Sequence, residues 1–222
     1  MTDQTPDGAE SVVEADVDYI SAERLIFFSD AVVAIAITLL ALGLTVPSIP
    51  SSASNYQIAM ALWQRPERLA YLAFLISFVV IGSHWRSHHR LFRYVSRLDQ
   101  RLISLNLGWL LMIVIMPFAT RLIAGNGGFG VRFGFYATIQ VLIMVLFLLM
   151  SRHIRGHDLL RPNAPPPSSQ DDDTTLIAVA AMFAISIPVA FVTQWAFAFW
   201  VASSPAAKIV RQLRERDQGS AS

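Results

Sequence analysis

Leu25 to Val46 is a run of 22 residues with one charged side chain, Asp30, near its start, and no further charge follows until Arg65. At 1.5 Å per residue a helix of that length crosses a bilayer core of about 30 Å. An ionisable group at the edge of a membrane span is costly, so it marks a functional or organising site. Beyond Asp30 the run is small and aliphatic. Ala31, Ile35, Thr38 and Leu42 share one helix face.

The remainder of the chain extends this reading. Of 222 residues 54% are apolar and 15% charged, against about 25% charged in a typical soluble domain, and the mean hydropathy is +0.49. The expected fold is all-α and polytopic. A second span starts at Pro66, a favoured first helical residue, and runs through Tyr71–Ile81 to about Arg90. The third is Ile103–Ile123 and the fourth Val131–Met150, with Gly125–Gly128 as the turn between them. Tyr56–Trp63 is short and aromatic and suits the membrane interface. Arg161–Asp173, proline-rich and then acidic, reads as an exposed loop.

Leu176–Val201 is 26 residues long, interrupted by Ser186, Pro188, Thr193 and Gln194. Periodicity does not say whether it crosses once or twice, but charge does. Five arginines lie between Arg86 and Arg101, three follow the fourth span, and Lys208, Arg211, Arg214 and Arg216 lie in the tail. The positive-inside rule puts all three groups in the cytoplasm, which requires an even number of spans. The stretch is therefore expected to split near residues 188–194, giving six transmembrane helices with both termini cytoplasmic. Residues 1–19 carry six acids and no base and are expected to form a disordered tail. Residues 20–205 then form the six-helix membrane domain, and residues 206–222 a basic cytoplasmic tail. No signal peptide is recognisable at the start, so the first span is expected to direct its own insertion.

Few catalytic chemistries fit. With no cysteine, disulfides, thiolate metal sites and cysteine nucleophiles are excluded. There is no phosphate-binding glycine loop, no Ser-His-Asp spacing, no paired carboxylates and no Thr-Val-Gly-Tyr-Gly filter. The bases sit at membrane edges, which argues against nucleic acid. His84-x-x-x-His88-His89 and His153-x-x-x-His157 have the spacing of histidine boxes in membrane di-iron enzymes, because imidazoles at i and i+4 share a face. That class uses more histidines than the five present. Cationic side chains closing helices at their negative poles account for most of the same residues. No metal or cofactor is expected.

Arg24-x-x-x-Phe28-Ser29-Asp30, running into Ala34-Ile-Ala-Ile-Thr-Leu-Leu40, resembles the first helix of the endolysosomal potassium channel family (transmembrane protein 175) and its bacterial homologues. Trp85, His88, His89, Asn106 and Pro117-Phe118 add to the resemblance, which covers about Arg24 to Met150. It implies a homotetramer in a bacterial-type plasma membrane, with the pore formed between subunits and lined by the first helix of each. Carried over by position, Ile35, Thr38 and Leu42 face the axis with Leu39 at the edge of that face. Rings of Ile and Leu would gate by dewetting, and Thr38 would offer oxygen to a partly dehydrated cation. Arg24, Phe28, Ser29, Asp30, Trp85, His88, His89 and Asn106 would tie the pore helix to its neighbours. Gly43 stands where bacterial members carry an acid, which removes an outer cation-attracting ring.

The function implied is passive, potassium-permeable conduction with modest selectivity over sodium, potassium being permeant and not cofactor. Proton permeability is left open. From the residues alone, Ala31, Ala34, Ala36, Ala41 and Gly43 equally suit a helix packed in a bundle core. A proton-coupled transporter is the alternative, with Asp30 its one intramembrane carboxylate. The histidine-box metalloenzyme is the third. The expected partners are the lipid bilayer and further copies of the chain.

Overall fold

The computed structural model describes residues 7–44, 46–63, 67–157, 159–161 and 170–196. It is built of helices α1 (Asp7–Ala41), α2 (Asn55–Trp63), α3 (Glu67–Phe92), α4 (Gln100–Ala124), α5 (Phe129–Gly156) and α6 (Gln170–Ala190), then a 3-10 turn, Gln194–Ala196. Five of them, all but α2, are long and apolar enough to cross a membrane. The short aromatic segment forms α2, and none of its residues is buried.

The chain differs from expectation at its start. α1 begins at Asp7, so most of the acidic segment read as a disordered tail is helix continuous with the first span. Alanine and glutamate are good helix formers.

α4 and α5 form the centre. α4 packs on α1, α3 and α5, and α6 packs on α5. Trp109, Ile113 and Met116 of α4 meet Ile143, Met150 and Ile154 of α5, with Ile81 and Phe92 from α3 and Val33, Ala36 and Leu40 from α1. A satellite core joins Phe133 and Ala137 of α5 to Ala190 and Ala196. Small residues on α5 make that contact close: a Cβ on Gly130 would lie 2.7 Å from the Phe191 ring, and one on Gly134 would meet Ile187 at 3.6 Å.

The apolar stretch from Leu176 does break. Pro188 lies in the last turn of α6, and Phe191, Val192 and Thr193 turn back on the carbonyls of Pro188 and Val189. The break lies inside the expected 188–194 window. The remainder of the expected sixth span, like Pro66, falls outside the described residues.

Each end of the bundle is closed by polar contacts. At the arginine-rich end Asp99 caps α4, accepting from the Leu102 N–H at 2.7 Å. Its other oxygen meets His153 Nε2 of α5 at 2.5 Å. The Ser96 N–H donates to Leu159 O, the Arg161 N–H donates to Tyr94 O, and Arg152 and Arg155 pair with Asp173 of α6. At the opposite end Arg132 donates to the carbonyls of Ile123, Gly125 and Gly127, closing a turn in which Gly127 has φ +103°.

Candidate functional site

α1 presents two faces of different chemistry. Towards the bundle it buries Ser29, Val33, Ala36 and Leu40, with Leu25, Ile26, Val32 and Ile37 half-buried against the same core. Away from the bundle it leaves Arg24, Ala31, Ala34 and Thr38 exposed, together with Phe28, Ile35 (59% exposed), Leu39 (39%) and Leu42 (75%). All four residues carried over as a constriction therefore lie on the unpacked side. Thr38 donates its hydroxyl proton to Ile35 O at 2.8 Å, which leaves its oxygen lone pairs uncommitted on that face.

The polar residues around the first turns of the span converge into a chain of hydrogen bonds and one separate bond beside it. Ser29 donates to Leu25 O at 2.8 Å. With its proton committed, its oxygen accepts from Asn106 Nδ2 at 3.0 Å. Asn106 Oδ1 then faces His88 Nε2 at 2.7 Å. An oxygen can only accept, so His88 carries its proton on Nε2. The chain of donors runs in one direction, from α3 through α4 to α1. His88 is clamped between Phe92 and Trp109, with ring centroids 4.3 and 4.4 Å away. Beside this chain Trp85 Nε1 donates to Asp30 Oδ1 at 2.8 Å, and Trp85 lies against the His89 ring at 5.6 Å.

Five of the eight residues proposed as an anchor, Ser29, Asp30, Trp85, His88 and Asn106, are thus brought together by hydrogen bonds, and His89 by its ring contact. Arg24 and Phe28 are not. They stand exposed on the line of Ile35 and Leu42, because six residues of helix turn Arg24 about 120° away from Asp30.

A second polar layer was not anticipated. The Thr120 and Ser77 hydroxyls lie 2.8 Å apart, and Ser77 lies 3.2 Å from the Tyr136 hydroxyl. His84 Nε2 meets Gln140 Oε1 at 2.9 Å. These contacts tie α3 to α4 and α5. The signal available in sequence was the presence of Ser77, Thr120, Tyr136 and Gln140 inside apolar spans, where polar groups must find partners on neighbouring helices.

The histidines serve as separate structural partners. His84, His88 and His153 bind Gln140, Asn106 and Asp99 respectively, and His157 Nδ1 lies 3.1 Å from His153 O. Among the described residues no three His, Cys, Asp or Glu side chains converge as metal ligands. At Asp99, outside the spans, burial pushes the carboxyl pKa up. The Leu102 N–H, the His153 hydrogen bond and the nearby charges of His153 and His157 outweigh that, so it lies below the ordinary value.

Residues 24–117 match the family described as endosomal/lysosomal potassium channel TMEM175. A potassium channel of Streptomyces collinus is 40% identical over 101 residues, covering 46% of this chain and 47% of that protein. A potassium channel of Chamaesiphon minutus is 35% identical over 140 residues, covering 61% and 66%. The endosomal/lysosomal proton channel TMEM175 of Danio rerio is 30% identical, over 52% of this chain and 22% of that one. The alignments thus span from about a fifth to two thirds of these relatives. In three dimensions the chain superposes on the crystal structure of a lysosomal potassium-selective channel TMEM175 homologue from Chamaesiphon minutus. The TM-score is 0.64 at 26% identity, covering 87% of this chain and 97% of that one. By sequence from Arg24 to Pro117 and by fold over most of its length, the chain belongs to the TMEM175 family.

Proposed function

We propose that the chain is one subunit of a homotetrameric, potassium-permeable cation channel whose conduction path is lined by the exposed face of α1. The observation that carries this reading is the composition of that face. Lipid-facing surface elsewhere is made of large apolar side chains, as on α3, where Leu72, Leu75, Ile76, Phe78 and Val79 stand exposed. The α1 face instead intersperses its large side chains, Phe28, Ile35, Leu39 and Leu42, with Ala31, Ala34, Ala41 and the Thr38 hydroxyl, and begins at a cation, Arg24. Small residues let helices of neighbouring copies approach closely. A charged group at such a position favours water over hydrocarbon.

In this reading Ile35, Leu39 and Leu42 form the hydrophobic constriction, and Thr38 supplies oxygen to a partly dehydrated potassium ion. Discrimination against sodium is modest, because the constriction residues of α1 carry no charged ring or carbonyl filter. Ser29, Asp30, Trp85, His88, His89 and Asn106 hold the helix in place and do not touch the ion. Arg24 and Phe28 move from anchor to the approach on the arginine-rich side. The charge distribution supports that side and both termini being cytoplasmic, and the bacterial potassium-channel relatives support a plasma-membrane location. The proton-channel relative supports protons as a second permeant species.

Recording from purified protein in a planar bilayer tests the proposal. Discrete unitary currents carried by potassium are expected. A slow, step-free flux saturating at carrier rates would replace the channel by a transporter.

A further inference from the structure

α1 ends at a bare stretch of backbone, and an arginine lies on it. A Cβ on Gly43 would stand 2.8 Å from Arg121 Cγ and 2.9 Å from Arg121 Cδ, so the stem of Arg121 occupies the space that any side chain at residue 43 would fill. Arg121 itself is exposed. Gly43 directly follows Leu42, the outermost of the residues assigned above to the constriction. The last carbonyls of α1, those of Leu39, Leu40 and Ala41, accept from the Leu42, Gly43 and Leu44 N–H groups, and the negative pole they form favours a cation beside it.

Nothing described at this end neutralises that cation. Arg132 is turned onto the carbonyls of Ile123, Gly125 and Gly127. Between Asp30 and Asp99 the sequence holds a single acid, Glu67, and from Gln100 to His157 none. Among the described residues Arg121 has no ion-pair partner.

We propose that Arg121, held against Gly43 at the end of each α1, forms a positive ring at the outer mouth that limits entry of permeant cations from that side. This rests on the conduction reading of α1. Gly43 is a positioning residue in the scheme, since its missing side chain is what admits the arginine. A mouth potential of one to two thermal units lowers local cation concentration about three- to sevenfold. Salt screens the effect, since the Debye length falls to about 3 Å at 1 M.

The test is inward unitary potassium current across reconstituted protein in symmetrical solutions. Arg121→Gln is expected to raise it about threefold at roughly 20 mM salt and to leave it unchanged at about 1 M. Arg121→Lys should retain the wild-type current, and Gly43→Ala, which displaces the stem, should give an intermediate rise. Wild type needs no substitution to contribute: its inward conductance should climb more steeply than in proportion to salt at the dilute end. An Arg121→Gln current equal to wild type in dilute salt would overturn the inference. So would a rise that persists undiminished at high salt, or a wild-type conductance that merely saturates from the dilute end. A wild type passing no cation current at all would instead overturn the conduction reading beneath it.

Discussion

Asn106 of α4 donates its side-chain N–H to Ser29 of α1 at 3.0 Å, in a place where both side chains are fully buried. Asn106→Leu removes the donor for Ser29 and the acceptor for His88 Nε2 together. A buried polar group left without a partner costs about 1–3 kcal/mol, so this variant should melt well below wild type in detergent. Ser29→Ala breaks one bond and should cost less. An Asn106→Leu protein that melts like wild type would mean that the chain of bonds contributes nothing to stability.

Trp85→Phe deletes the N–H that reaches Asp30 while keeping most of the ring. A hydrogen bond to a charged group is worth about 1.5–3 kcal/mol, and Asp30 has no second hydrogen-bond donor among the described residues. Asp30→Ala should therefore give unstable or unassembled protein on size exclusion, and Trp85→Phe a milder version of the same defect. A normal oligomer peak from Asp30→Ala, with only conductance altered, would move Asp30 from scaffold to ion path.

Ile35→Asn and Leu42→Asn place an amide on the exposed face and should wet the constriction, raising sodium permeability relative to potassium. Ile37 packs half-buried against the core, so Ile37→Asn should reduce folded yield without that selectivity change. Reversal potentials under bi-ionic conditions, read beside expression level, check the pair. Identical behaviour of all three would show that the wrong face has been assigned.

Asp99 gives the arginine-rich end a pH dependence. Its carboxyl has a lowered pKa in the folded protein. It therefore contributes stability that is whole above the ordinary carboxyl value of about 4 and is lost as pH falls through the lower folded value. Asp99→Asn should be less stable than wild type at neutral pH, and the gap should narrow below about pH 4. Thermal melts across that window measure it, and a gap independent of pH would assign the loss to capping geometry alone.

Much of the fold was legible because hydrocarbon imposes one length scale on every span, and Pro188 marked the break in the last apolar stretch. The meeting of Asp30 with Trp85, and of His88 with Asn106, was foreshadowed by polar side chains at matching depth in three spans. Arg24 entered the anchor through the resemblance of its motif, and helical rotation turns it about a third of a turn from Asp30, onto the exposed face. The Asp99–His153 contact joins residues 54 apart. It depended on how α4 and α5 slide past one another, and no local pattern encodes that offset.

The level of Ser29 acts as a fulcrum for α1. The Asn106 and Trp85 bonds gather there and are directional, whereas the contacts of Val33, Ala36 and Leu40 above it are apolar. Leu42 lies 13 residues beyond Ser29, about 20 Å along the helix. A tilt of about 5° about that level would carry Leu42 sideways by about 1.7 Å while barely moving Ser29. In the proposed channel, a lever of this kind would turn a small strain near the arginine-rich end into a change of bore at the far one.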